Sequence, residues 1–319
     1  MEVSVGLHLG ERTLSAVEVR AEGGRRVLRR VGRVSLPMEL TLDALLSEAA
    51  QTTVAGLLRG LFETAGIDGR AVCVSVGGNF SVVKRVPLEV ASEAERREQI
   101  IWEAGQYLVD PVSEYAVDYH AFGRAAFLVA VRKQTVHACT AVCERAGLGV
   151  KRLEVDPLCL FFSALASFEP EAEERADRGG AAVHFGGRWA SCISTSGMDL
   201  TAVELVRLDR GGRRLRAGAD EDRAEGLEAA ARALGRRMAG GLVPERRNRP
   251  AGRRRVLLSG DCRTAESVNR WWEEIDTLAV ALMDPFSQVD SGALPDDQRP
   301  LLDQRTVFAV SAGAAYKNL

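Results

Sequence analysis

Two short stretches of the chain carry the residues best placed to do chemistry, and they match each other. One reads Leu7-His8-Leu9-Gly10-Glu11-Arg12 and the other Val183-His184-Phe185-Gly186-Gly187-Arg188. Both fit apolar–His–apolar–Gly–x–Arg and open the two halves of the sequence. Each offers an imidazole that gains charge as pH falls. Each offers a guanidinium able to grip phosphate without a metal, and a glycine turn whose backbone N–H groups can face an anion. An internal repeat at this spacing points to two domains built on one plan. His8 and His184 either belong to such an anion grip or sit in a small polar cleft with backbone partners.

Other chemistry is sparse. Cys139 and Cys143 lie four apart on an expected helix close to His137, half of a metal site, but no second pair of ligands follows. There is no P-loop, nucleophile elbow or metal-protease helix. The four histidines are too scattered in sequence to suggest a site. No catalytic residue and no metal ligand is assigned from the sequence. Six scattered cysteines, Cys73, Cys139, Cys143, Cys159, Cys192 and Cys262, read as reduced and buried.

The elements that would position the two stretches can be read from periodicity. Residues 3–9 alternate as a strand, turn at Gly10-Glu11, and return as Thr13 to Arg20. A third strand runs from Arg29 to Leu36. Residues 42–65 carry helical spacing, with Gly66 as the C-terminal cap. A strand over Ala71–Val76, a turn at Gly77-Gly78-Asn79 and a strand from Ser81 to Leu88 follow. Ser92-Glu93-Ala94-Glu95 is a capping box opening a helix to about Leu108. Its core face is Ile100, Ile101, Ala104, Tyr107 and Leu108, with Trp102 off that face. Then come a strand over Phe127–Val131, a helix over Thr135–Ala146, a strand over Val150–Val155 and a short helix after Pro157. The second half repeats the strand–turn–strand pattern, with a third strand from Leu200 to Leu208. It continues with a strand over Arg255–Ser259 and a helix over Ser267–Ile275. A closing helix of small residues runs from Val307 to Tyr316. The acidic, then Gly-rich residues 169–180 form the boundary between the halves.

The length of 319 residues favours two domains over one. Hydrophobic residues at 46% and charged residues at 27% mark an ordinary globular protein with a core in each half. A net charge of −2 gives the whole chain no pull toward nucleic acid. Residues 207–255 depart from that balance, with 15 Arg against 7 Asp and Glu. They are either a patch for phosphates, acidic lipid or an acidic partner, or a solvated surface in a chain that uses few lysines. No aromatic residues are interleaved there, which argues against single-stranded nucleic acid. Charged residues interrupt the early apolar runs, and no run approaches the ~20 residues of a membrane span. A cytoplasmic protein is therefore expected.

The order of short motifs resembles the PilM-like family of actin-like proteins from type IV pilus platforms, and more distantly the cell-division protein FtsA. The most specific match is Ile101-Trp102-Glu103-Ala104-Gly105-Gln106-Tyr107-Leu108, followed by Pro111, Val117-Asp118-Tyr119 and Ala130-Val131-Arg132-Lys133. Ala146-Gly147-Leu148, Val155-Asp156-Pro157-Leu158, Ser259-Gly260 and Asp284-Pro285-Phe286 continue it.

The resemblance implies an α/β actin-like (ribonuclease H-like) fold of two domains, 1–168 and 179–319. A small subdomain would be inserted at about 86–155, and the last helix, about 306–319, would pack back on the first domain. It also implies a nucleotide pocket at His8, Gly10, Glu11, Arg12, His184, Gly186, Gly187, Arg188, Gly260 and Asp261. Here His8 and His184 stand at two positions where the family has Asp. Imidazole is a poor partner for the hard, oxygen-loving Mg²⁺. Glu11 takes a hydroxyl position, where a carboxylate about 4 Å from a phosphate charge costs roughly 4 kcal/mol at an effective dielectric of about 20. Asp261 stands where a second glycine would help.

The expectation is a non-hydrolysing adaptor with no resident cofactor, ATP/Mg being what the family would otherwise imply. Its partner would be a PilN-like inner-membrane protein, gripped through a short peptide in a groove at Trp102, Glu103, Tyr107, Tyr119, Arg132 and Lys133. Trp102 either lines that groove or packs between subdomains. Arg132 and Lys133 either meet an acidic group or are solvated. Other pilus platform proteins are further implied partners. Contact with the membrane would run only through the partner, at the inner face of the inner membrane. A working ATPase with arginine in place of metal is the alternative. A type II secretion module ranks lower because that family continues into a membrane helix. A sugar kinase ranks lower still because no carboxylate is placed as its base.

Overall fold

The structure is a computed structural model describing residues 2–89, 92–122, 125–167, 180–208, 220–240, 253–317 and 319. Residues 168–179, which include the expected boundary stretch 169–180 except Gly180, lie outside the described residues, as do 209–219 and 241–252 of the arginine-rich segment.

The first half opens with β1 (Glu2–Leu9), β2 (Thr13–Glu22) and β3 (Arg25–Ser35), an antiparallel meander with the apolar faces of β1 and β2 buried. The helix expected over 42–65 is two helices, α1 (Leu42–Leu46) and α2 (Glu48–Ala65). Ser47 is extended between them (φ −79°, ψ 126°) and lets Leu45 reach the core while α2 takes a new direction. Gly66 ends α2 in the left-handed region at φ 61°, as a C-terminal glycine should.

β4 (Ala71–Val76) returns parallel to β1, and β5 (Ser81–Pro87) starts a separate sheet. Ser92 opens α3 (Glu93–Tyr107) with a complete capping box. β6 (Tyr115–Phe122), a strand that periodicity alone did not reveal, pairs with β7 (Ala125–Arg132). α4 (Lys133–Arg145), β8 (Gly149–Val155) and α5 (Asp156–Ser167) complete the half. Within 86–155, α3, β6 and β7 belong with the small sheet β5-β7-β6. β8 instead pairs in parallel with β4.

The second half repeats the plan with β9 (Gly180–Phe185), β10 (Trp189–Ser196), β11 (Asp199–Arg207), α6 (Asp220–Gly240), β12 (Arg254–Gly260), α7 (Cys262–Glu273) and β13 (Leu278–Leu282). The two large sheets have equivalent orders, β3-β2-β1-β4-β8 and β11-β10-β9-β12-β13, each an antiparallel meander extended by two parallel strands. The repeat holds at residue level. His8 lies between Ser15 and Ser75 on its neighbouring strands, and His184 between Ser191 and Ser259.

A 3₁₀ segment, Arg299–Phe308, leads into α8 (Ala309–Tyr316), every residue of which is buried. α8 packs on β1, β2 and α5. Small residues permit backbone-to-backbone approach there. A Cβ on Gly6 would lie 1.9 Å from the Ser311 carbonyl oxygen, and one on Gly313 would lie 1.8 Å from that of Cys159. α5 and α8 therefore form one close-packed pair between the halves, with α5 also touching β9 and β10. On the far side of the second sheet, Gly235 of α6 leaves room for the fully buried Trp272 of α7, whose indole N–H donates to the Ala231 carbonyl at 2.9 Å. None of the described helices is long and apolar enough to cross a membrane.

Candidate functional site

The two repeated stretches meet. β1 and β9 end at opposite walls of a cleft, and the His8 and His184 rings stand 5.3 Å apart, centroid to centroid, at an interplanar angle of 73°. Sequence spacing made the four histidines look unrelated; the duplicated sheets bring these two together.

Their partners are side chains rather than the backbone groups considered above. His8 Nε2 lies 3.3 Å from Asp156 Oδ2, and the Ser75 hydroxyl donates to Asp156 Oδ1 at 2.8 Å. His184 Nδ1 is 3.2 Å from Ser259 Oγ. All of these groups are buried. Burial pushes the Asp156 carboxyl up, but His8, His184 and the Ser75 hydroxyl outweigh it and hold it below the ordinary carboxylate value. Burial and the adjacent His8 push His184 down to about 3, against a smaller opposing pull from Asp156.

Above this buried group the turns face each other. Glu11 is buried and reaches across the cleft to the second turn, where the Arg188 backbone N–H donates to its Oε2 at 2.7 Å. Gly187 sits at φ 139°, and a Cβ there would come within 2.6 Å of the same carboxylate oxygen. A side chain of the first half thus occupies the concave N–H turn of the second, the position an anion would take. Burial raises the Glu11 pKa, the Arg188 N–H lowers it, and Glu39 and Asp156 raise it further, leaving it above the ordinary range.

The other pocket positions are accounted for. Gly10 is held close to His8, where a Cβ would lie 2.9 Å from the imidazole Cε1. Arg12 and Arg188 converge on Glu39, at 3.4 and 2.9 Å. Gly186 closes the second turn by donating to the Trp189 carbonyl. Gly260 sits at φ 103°, and a Cβ there would strike the Phe185 carbonyl oxygen at 2.3 Å, so the position requires glycine. Asp261 caps α7, accepting from the Thr264 N–H at 3.0 Å. A cavity of about 410 Å³ beside the turns is lined by Glu11, Glu39, Arg188 and Trp189, and by Ser81, Tyr115 and Arg132 of the small sheet.

Residues expected in a peptide groove are not gathered in one place. Trp102 is 65% exposed on α3 and packs between no subdomains, and Glu103 beside it is half-buried. Ile101 and Tyr107, expected in the core face, are exposed. The three-stranded sheet is narrow and covers only Ile100 and Ala104 fully. The Lys84 ammonium lies over the Tyr107 ring, 5.8 Å from its centroid. Arg132 faces the cleft cavity, pairs with Asp110 and stacks over Tyr115. Lys133 is exposed at the start of α4.

Tyr119 lines a second cavity, of about 310 Å³, between the small sheet and the first large sheet. Its apolar walls include Val129 and Val131 from the small sheet and Val136, Leu153 and Leu158 from the elements facing it. Arg97, Asp118, Glu154 and Lys317 supply its charged groups, and Glu154 and Lys317 pair with each other.

Cys139 and Cys143 are fully buried in the main core, while His137 is exposed, so the three do not converge. Burial pushes the Cys143 thiol up to about 12 and Cys139 higher still. Five of the six cysteines are described, and all five are buried and outside any disulfide. In the arginine-rich segment, Arg232 pairs with Glu228 and Glu274, Arg237 with Glu204, and Arg253 with Asp276.

Sequence reasoning did not give Asp156, Ser75 or Glu39 a role at this site. A signal for Asp156 existed. Asp156-Pro157 follows the last strand of the first sheet, and Asp284-Pro285 follows the last strand of the second. The carboxylate thus sits at a repeated strand end rather than at an arbitrary loop position.

No protein-family model matches the chain. Among solved structures it is similar to a chain of a PilM–PilN type IV pilus biogenesis complex, at 18% identity and a TM-score of 0.78 over 98% of both chains. It is also similar to the cytoplasmic domain of EpsL, an inner membrane component of the type II secretion system of Vibrio cholerae. That match has 12% identity and a TM-score of 0.50 over 99% of this chain and 95% of that one. A third is the ethanolamine utilization protein EutJ from Carboxydothermus hydrogenoformans, with 11% identity and a TM-score of 0.51 over 99% and 90%. Together with the paired large sheets and the small third sheet, these likenesses establish an α/β fold of the actin-like type.

Proposed function

We propose that this chain is a non-hydrolysing cytoplasmic adaptor at the inner face of a type IV pilus inner-membrane platform, binding the short cytoplasmic tail of a PilN-like membrane protein. The observation that carries this reading is the TM-score of 0.78 over 98% of a chain from a PilM–PilN complex. The cavity of about 310 Å³ supports it as the seat of the tail. Among the described residues, β6 is the outer strand of its sheet and has β7 as its one neighbour there. An extended segment can therefore add to that edge while alternate side chains enter the apolar space between Val129 and Leu153. This seat replaces the expected groove of Trp102, Glu103, Tyr107, Arg132 and Lys133, keeping only Tyr119.

The buried turn supports the absence of nucleotide chemistry. Glu11 already takes the Arg188 N–H of the turn that phosphate would need, and the two arginines are engaged by Glu39. Calorimetry tests both parts. A synthetic peptide of the PilN-like protein's cytoplasmic tail is titrated into the chain, and separately ATP with and without Mg²⁺. Saturable peptide binding that Leu153→Arg abolishes, with no ATP heat to millimolar concentration, is the expected result. ATP turnover without peptide binding sinks the reading in favour of an actin-like ATPase. The likeness to the EpsL domain favours one further reading, a type II secretion platform. Binding of that system's partner peptide instead of the pilus one would select it.

A further inference from the structure

We propose that His8, Asp156 and His184 form a binding site for one divalent transition-metal ion of the zinc class, joining the two halves of the molecule. The site does not depend on the adaptor reading. Its three donors come from three elements far apart in the sequence: β1, the first residue of α5, and β9. The three ligand atoms all lie within 4.8 Å of one another and all three residues are buried.

Donors around a tetrahedral ion at about 2.0–2.1 Å stand about 3.3–3.4 Å apart. His8 Nε2 and Asp156 Oδ2 already have that separation, at 3.3 Å. Closing the widest separation to the same value takes an inward movement of the order of 1 Å, within the reach of a side-chain rotation.

The chemistry of the set selects the ion. Two imidazoles and one carboxylate suit zinc, cobalt or a neighbouring ion, and disfavour magnesium and calcium, which need mostly oxygen. A buried carboxylate is a negative charge that a divalent cation would offset.

The surroundings of the site point the same way. Ligand side chains in metal sites are held by a second layer of hydrogen bonds. Here the Ser75 hydroxyl holds Asp156 by Oδ1, on the side away from His8 Nε2. The Ser259 hydroxyl holds the His184 ring by Nδ1. Three protein ligands leave a fourth position for water or a small anion. α5 is the covalent route out of the first half, and it carries the third ligand. An ion bound by His8, Asp156 and His184 would therefore fix how the two large sheets sit relative to each other.

The test is a Co²⁺ titration of the full chain after dialysis against EDTA, followed by visible absorption. The expected result is one ion per chain with the d–d bands of a low-coordinate cobalt site, no thiolate charge-transfer band, and displacement by Zn²⁺. His8→Gln and His184→Gln are each expected to weaken binding by roughly tenfold or more while keeping the native far-ultraviolet circular dichroism. Ser259→Ala, which removes only a supporting hydroxyl, is expected to weaken it by about tenfold. Absence of the bands in the unaltered chain up to millimolar Co²⁺ overturns the proposal whatever the variants do. Bands that persist in both histidine variants, or that carry a thiolate signature, overturn it equally.

Discussion

The Glu11 carboxylate accepts the Arg188 N–H at 2.7 Å across the cleft, so its negative charge already sits in the anion-binding turn. Glu11→Ser is expected to vacate that turn. In the variant, sulfate or phosphate should raise the melting temperature by several degrees, while the native chain shows no such rise. An equal response from both proteins would mean the turn is not where anions bind. His184 gives a pH dependence of defined sign. Its folded value of about 3 lies below the ordinary 6.5, so the unfolded chain takes up the proton first as pH falls. Its contribution to stability is intact above about pH 6.5 and is lost between 6.5 and 3, at a limiting rate of about 1.4 kcal/mol per pH unit. In the metal-free protein, urea unfolding at pH 7, 5.5 and 4.5 should show this fall, and His184→Gln should flatten it. An unchanged slope in the variant would assign the acid sensitivity elsewhere. His8 and His184 were legible as a pair from the repeat, and Glu11 as a departure from the pattern that the family resemblance implied. Asp156 was not, because its meeting with His8 joins residues 148 positions apart.

At the scale of elements, local signals predicted what local physics decides. The Ser92 capping box, the Gly66 cap and the Gly147 turn at φ 79° all form as their residues dictate. What failed was decided by packing. The helix over 42–65 breaks at Ser47 although its periodicity runs through. Tyr107 and Ile101 stay exposed because the sheet beneath α3 is only three strands wide. Two non-local devices bind the C-terminal segment. Gln298 is buried; its amide N–H donates to the Ala65 carbonyl at 2.8 Å, and its oxygen accepts the Val31 N–H at 2.9 Å. Gln298→Leu orphans both backbone groups and is expected to cost about 2–3 kcal/mol in denaturant unfolding. A loss under about 0.5 kcal/mol would show that water replaces the amide. Gly313 is the second device. Its Val substitution places a Cβ inside contact distance of the Cys159 backbone, so a loss of about 3 kcal/mol or more is expected, or failure to fold. Near-native melting of Gly313→Val would contradict the close α5–α8 packing.

Over the whole molecule, the repeat visible in two six-residue stretches extends to sheet order, strand direction and the serines flanking each histidine. The sequence could show that the halves match but not which groups touch across the cleft. That depends on how far one turn reaches into the other. Glu39 makes the outer contact, taking both Arg12 and Arg188, whose side chains are about half exposed. Ion pairs so exposed contribute little, so Glu39→Ala is expected to cost less than about 1 kcal/mol of global stability. It should nonetheless speed hydrogen exchange at the Gly186–Arg188 amides. Exchange that stays as slow as in the native chain would show that Glu11 alone holds the cleft. The Glu11 contact has a consequence in terms of mass action. A ligand carried on the same chain faces its site at an effective concentration set by geometry, in the millimolar range or above, and never dilutes. Any free metabolite must compete against that fixed internal occupant. On the adaptor reading proposed above, closure of the cleft would thereby be set by the covalent chain rather than by the surrounding small-molecule pool.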